Sequence, residues 1–182
     1  MLTVKAFASI PSGTDLTALY RAEVGDYPKF FKMDTACKLG FLLGEKLSEE
    51  PRFIPREDRA VLMMSTCGCL CNDRHYEETV REFPSPSLFV YTLPNIITGE
   101  IAIRNKYEGE TSAYVVERFD PSVVAVLVEQ AFQDKVTSSV LCGWVDVRAD
   151  DDFTALAWLV ERDGTGQAFN KETIYGTVDQ GT

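Results

Sequence analysis

Histidine is almost missing from this 182-residue chain, occurring once, at position 75. A scheme that needs two imidazoles, or a metal centre built from several histidines, is therefore excluded within this sequence. Basic residues are scarce as well: 18 Lys and Arg stand against 28 Asp and Glu, a formal net charge of −10. That balance argues against a nucleic acid or an anionic membrane as partner, since polyanions select Lys/Arg patches. No apolar run approaches the roughly 18 residues that a membrane-spanning helix needs. The opening MLTVKAFASIPS has one Lys and no long apolar core, so it is read as a strand and not as a signal peptide. Paired C-x₂-C clusters, internal repeats and low-complexity runs are also absent.

What is present is the composition of a globular domain, 45% hydrophobic and 25% charged. A chain of this length buries roughly 70% of its unfolded surface in one core. Five cysteines without a secretory signal fit a reducing, cytoplasmic setting with free thiols. Arg52, Arg56, Arg59, Arg74, Arg81, Arg104, Lys106 and Arg118 are the cations that could form a local basic patch for an acidic partner.

Periodicity and turn chemistry place the elements. Leu2 to Ile10 reads as a strand ending at Pro11-Ser12-Gly13, followed by a short helix capped by Thr14 or Asp15. Asp34 or Thr35 opens a helix with Ala36, Leu39, Leu42, Leu43 and Leu47 at helical spacing. The continuous apolar run RAVLMMS from Arg59 is expected as a central strand buried on both faces. Asn72 or Asp73 caps a helix to Arg81 that carries His75, read as a solvated residue without a partner. A helix over Asn95 to Arg104 has small residues (Thr98, Gly99, Ala102) for close packing, with Asn95 capping through its side chain. Thr111 to Glu117 is a strand. Asp120-Pro121 then starts a helix to about Gln133 that is apolar almost all round and expected to be buried. Ser138 to Val147 and Phe153 to Glu161 form a hairpin. The order β-α-β-α-β-α-β-β makes an α/β domain over residues 1–163, with a five-stranded mixed sheet and helices on its faces. Residues 164–182 are a polar tail or an added strand around Thr173 to Val178.

The run SPSLFVYTLPNIITGEIAIRNKYEGETSAYVV resembles the β-ketoacyl-ACP synthase (3-oxoacyl-ACP synthase, condensing enzyme) family. Its Leu93-Pro94-Asn95 turn opens a Gly/Ala/Ile helix, and Gly109 precedes the strand leading to the family's nucleophile elbow. The likeness runs back to Lys32-Met33-Asp34 and forward to CGWVDV and ALAWLVE. It implies one thiolase-like half: of the two similar halves of that fold, this sequence carries the first, and not the second with its histidines. It also departs from the pattern at the elbow. The nucleophile slot falls at or next to Arg118, and no Cys lies between Cys71 and Cys142. A guanidinium cannot attack a thioester, but it can bind a carboxylate, phosphate or phosphopantetheine group. Pairing with Asp120 or Glu117 is the competing reading of Arg118.

The resemblance implies a truncated, non-condensing relative of the 3-oxoacyl-ACP synthases in fatty-acid or polyketide-type biosynthesis. It would bind an acyl group, an acyl carrier protein or a full-length ketosynthase, and form a homodimer through strand 111–117. Arg118, Phe119, Asn95 and Thr92 are its candidate binding residues, and no cofactor is expected. Two alternatives stay open. One is an acyltransferase acting through another thiol, such as Cys67, Cys69 or Cys142, with a partner subunit. The other is a metal or redox module built on Cys67, Cys69 and Cys71, although a structural zinc site would want a fourth ligand.

Overall fold

A computed structural model describes residues 1–181 of the chain. Its sheet has six strands: β1 (Leu2–Ile10), β2 (Arg59–Ser65), β3 (Thr111–Val115), β4 (Ser139–Ala149), β5 (Asp152–Arg162) and β6 (Gln167–Ala168). Their order across the sheet is β3-β2-β4-β5-β1-β6. The β3, β2 and β4 strands run parallel, while β5, β1 and β6 add on antiparallel. The helices are α1 (Leu16–Glu23), α2 (Thr35–Leu47), α3 (Leu70–Val80), α4 (Pro86–Val90), α5 (Ile96–Asn105), α6 (Pro121–Ala131) and α7 (Lys171–Gly181). A 3₁₀ turn at Pro28–Lys32 leads into α2. No helix among the described residues is long and apolar enough to cross a membrane.

The period-two geometry of the strands divides the core into two layers. Val61, Met63, Leu141 and Leu159 face a layer built on α2 and α5. Ala60, Leu62, Met64, Val140, Cys142 and Trp158 face the opposite layer, which holds Val124 and Val128 of α6 and Ile174 of α7. Every residue of β2 is therefore buried, as a strand covered on both faces requires. It lies second from the edge of the sheet, not at its centre.

Side-chain caps set several helix starts. Asp15 accepts from Thr17 and Ala18, Asp34 from Cys37, and Asp120 from Ser122. The close approach of α2 and α5 uses small residues on α2: a Cβ at Gly40 would lie 2.4 Å from Ile97, and one at Gly44 would lie 3.2 Å from Ile101. Of the small positions expected on α5, Gly99 is not part of the contact, since nothing lies within 4 Å of a Cβ placed there, while Thr98 and Ala102 are buried. Gly109, just before β3, passes so close to β2 that a Cβ would lie 2.4 Å from the Arg59 carbonyl.

Four other expectations are corrected. The fifth strand is joined by a sixth: Gln167 and Ala168 pair with Val4 and Thr3, too short a run to carry a periodic signal. The segment read as a tail or a strand at 173–178 is helix α7, whose Ile174 is fully buried against the sheet. Thr182 lies outside the described residues. The α3 helix starts at Leu70, ahead of the expected Asn72 or Asp73 cap, with Cys69 at the cap position and no side-chain capping bond. Finally, α6 is buried on one side only, because Val123 and Val126 are exposed while Val124 and Val128 meet the sheet.

Candidate functional site

Three parallel strands point their carboxyl ends to one side of the sheet, β2 and β3 ending in register while β4 runs on, and it is beyond such strand ends that open α/β sheets bind ligands. Val116 continues the pairing past β3 by donating to the Ser65 carbonyl at 2.9 Å. The chain then turns through Glu117-Arg118-Phe119 into α6. The Asp120 carboxylate accepts from the Ser122 amide at 2.8 Å and so meets part of the positive end of the helix. A cavity of about 290 Å³ opens here, walled by Thr66, Arg118, Phe119, Trp144, Asp146 and Arg148 among others.

Its walls are chemically distinct. Phe119 stands edge-on to Trp144, with ring centroids 5.1 Å apart and planes at 76°. Arg118 is exposed and, among the described residues, forms no ion pair; the pairing with Asp120 or Glu117 weighed from the sequence is not made. The other cation on the wall is engaged: Arg148 bonds both oxygens of Asp152, at 2.9 and 2.7 Å. The basic patch considered from the sequence does not form around Arg52, Arg56, Arg59 and Arg104, which each pair with a carboxylate.

Asp146 is the residue that sequence reasoning passed over. Its buried carboxylate accepts the backbone amides of Thr66 and Cys67, each at 2.8 Å, and so holds the turn after β2 against β4. Its one sequence signal was a lone charge in the apolar run Val140 to Val147. Cys67 is the thiol nearest this arrangement, its Sγ 3.9 Å from Asp146 Oδ2. Burial, followed by the Asp146 charge and bond, raises the Cys67 pKa above the ordinary thiol value. Burial likewise pushes Cys69 up to about 12, raises Cys37 well above its usual value, and raises Cys142 in the core. None of these four has the lowered pKa of an activated nucleophile.

Arg118 and Phe119 are thus brought together at the cavity, whereas Thr92 and Asn95 are not among its walls. Thr92 Oγ1 donates to the Phe89 carbonyl at the end of α4. Asn95 is exposed, and its side chain makes no capping bond; its carbonyl accepts from Thr98 Oγ1 and the Gly99 amide. Cys67, Cys69 and Cys71 do not converge as one cluster. The donors that meet are Cys71, His75 and Asp150, on a different cavity.

No family profile and no curated protein matches this sequence. Solved structures do match the fold. A chain of a ketosynthase in complex with its chain length factor, from Xenorhabdus doucetiae, superposes with a TM-score of 0.63 at 15% identity, over 90% of this chain and 80% of that one. The ishigamide ketosynthase/chain length factor gives a TM-score of 0.68 at 16% identity, over 86% of this chain and 50% of that one. A type II polyketide synthase ketosynthase, in a complex with its acyl-carrier protein, gives 0.62 at 11% identity, over 100% of this chain and 65% of that one. The chain shares the thiolase-like fold of these ketosynthase structures. It spans 50% and 65% of the second and third of these chains. The thiolase-like architecture expected from the sequence is present, with six strands in place of five.

Proposed function

We propose that this chain is a non-condensing, ketosynthase-like subunit of fatty-acid or polyketide-type biosynthesis, which binds an acyl thioester or its carrier arm at the cavity beside α6. The observation that carries the proposal is Arg118. It stands where the resemblance places the family's nucleophile, with no ion pair among the described residues and beside the Phe119–Trp144 wall. A guanidinium with free donors suits a phosphate or carboxylate, and the aromatic wall suits an apolar chain beside it.

A partner role draws support from the structural neighbours, one being a ketosynthase with its chain length factor and another a ketosynthase with its acyl-carrier protein. The β3 strand lies at the edge of the sheet with one side unpaired among the described residues, and Val115 is exposed there. Such an edge calls for a cover, and a ketosynthase-like partner chain is the cover proposed; a second copy of this chain is the other outcome. The cytoplasm is the proposed location, resting on the free thiols of the composition.

The test is the intact mass of the protein after incubation with acyl-CoA and acyl-carrier-protein thioesters, together with size-exclusion chromatography of the same mixtures. No thioester adduct is expected. Carrier protein or retained acyl group should co-elute with the chain and be weakened at least about tenfold by Arg118→Glu, in keeping with the strength of a charged hydrogen bond. A hydroxylamine-labile adduct on a cysteine would sink the non-condensing reading and name the nucleophile. Binding unaffected by Arg118→Glu would remove the site from this cavity.

A further inference from the structure

A second cavity, of about 190 Å³, lies between α2, α3 and the turn that follows β4. On its rim α3 presents Cys71 and His75 one turn apart, so the two side chains share a face. The β4–β5 turn brings Asp150 to the same point. One donor atom from each of the three, a sulfur, an imidazole nitrogen and a carboxylate oxygen, lies within 4.8 Å of the other two.

We infer that Cys71, His75 and Asp150 form a binding site for a borderline-soft divalent cation, Zn²⁺ by preference, with a further coordination position open toward the cavity. This goes beyond the proposed function and does not depend on it. Zinc bonds of about 2.0 to 2.3 Å to such ligands imply donor separations of roughly 3.3 to 3.8 Å around a tetrahedral ion. His75 Nε2 and Asp150 Oδ2 are already 3.8 Å apart. The remaining closure is a matter of rotamers, since the His75 and Asp150 side chains are 45% and 64% exposed.

The surroundings fit a cation. Thr35 Oγ1 donates to Asp150 Oδ1, which orients the carboxylate and leaves its second oxygen toward His75. Asp34 and Cys69 also line the cavity, with Lys38 the cation opposing them. The mixture of donors selects the metal: Mg²⁺ and Ca²⁺ want oxygen ligands throughout, while one thiolate, one imidazole and one carboxylate suit Zn²⁺ or Co²⁺. A Cys-His-Asp proton relay would use opposite nitrogens of the ring for the thiol and the carboxylate. Here one ring nitrogen lies within 4.8 Å of both the sulfur and a carboxylate oxygen, a spacing that a bound ion can bridge.

Cobalt(II) titration of the full chain tests the site, because a thiolate ligand gives a cobalt charge-transfer absorption in the near ultraviolet. One Co²⁺ should bind per chain with that absorption and be displaced by Zn²⁺. Cys71→Ser should abolish the band, and His75→Ala and Asp150→Asn should each weaken binding at least about tenfold. Cys67→Ser should bind as the parent does. All four positions are at least partly exposed, and circular dichroism shows whether each variant keeps its fold. The inference is overturned if neither cation binds saturably, or if binding survives His75→Ala and Asp150→Asn but is lost in Cys67→Ser, which would move it to the loop cysteines.

Discussion

The indole Nε1 of Trp158, in the middle of β5, donates a hydrogen bond of 2.9 Å to Thr177 Oγ1 on α7. The bond ties the last helix to the sheet beneath it, where Trp158 and Ile174 are both fully buried. It makes α7 part of the packed body, in place of the tail that the polar composition implied.

If α7 covers the sheet in this way, shortening its central anchor should be costly. Ile174→Ala is expected to lower unfolding stability by about 3 kcal/mol, the usual result of emptying a fully buried aliphatic site. Thr177→Val should cost about 1 kcal/mol by leaving the indole N–H without its acceptor. Urea unfolding followed by tryptophan fluorescence measures both. A change below about 0.5 kcal/mol for Ile174→Ala, the range of an exposed surface site, would mean that α7 is not docked.

Arg59 is buried inside the sheet, its guanidinium bonded to Glu49 at 2.7 Å and to Ser139 at 2.9 Å. Its ring neighbour is Tyr107, 5.2 Å from the guanidinium carbon. Arg59→Ala should destabilise by about 3 kcal/mol, because it leaves a cavity and strands Glu49 without one of its cations. Arg59→Met, which restores most of the volume, should recover part of that loss. Equal unfolding midpoints for the two variants would show that volume is not the issue.

Asp58 sets an acid limit. The Arg56 guanidinium, bonded to its carboxylate at 2.7 Å, is the main cause that holds the Asp58 pKa well below the ordinary carboxylate range, with Ser138 adding to it. A depressed folded-state pKa stabilises at pH values above the unfolded value, about 3.9, and that stability is lost as pH falls below it. The stability difference between the parent and Asp58→Asn should therefore be constant above about pH 5 and shrink below about pH 4. A difference that stays level down to about pH 2.5 would refute the assignment.

Cys67 should alkylate slowly at neutral pH. Its raised pKa, caused by burial and then by Asp146, leaves little thiolate. The pH profile of iodoacetamide labelling, read at Cys67 by peptide mapping, should rise with an apparent pKa above the ordinary thiol value near 8.5. Asp146→Asn should move the profile to lower pH. A profile in the parent with its midpoint below about pH 8 would instead mark Cys67 as an activated thiol.

Much of the fold was legible because local chemistry wrote it. Asp15, Asp34 and Asp120 cap the helices that their positions announced. The unbroken apolar run Ala60 to Met64 reported a strand covered on both faces. The Arg118-Phe119 pair could be read as a site candidate from its place between a strand and a helix start. Other features gave no usable local signal. Composition alone says little about whether Lys171–Gly181 coils, pairs or helps to cover a sheet, since its helical pattern is weak and Ile174 alone among the described side chains of α7 is fully buried. Thr92 and Asn95, named from a motif resemblance, belong to a turn that closes on itself and do not line the cavity beside α6.

The amino-acid order by itself determined most of the element types and the strand buried on both faces. Those depend on period, capping and turn residues within a few positions of one another. Only the tertiary structure decided which distant groups meet: Asp146 with the amides of Thr66 and Cys67, Trp158 with Thr177, and Cys71 and His75 with Asp150. These meetings are set by strand order and by how α3 and α7 pack on the sheet, which place residues far apart in sequence within a few ångströms, and no local pattern encodes that distance.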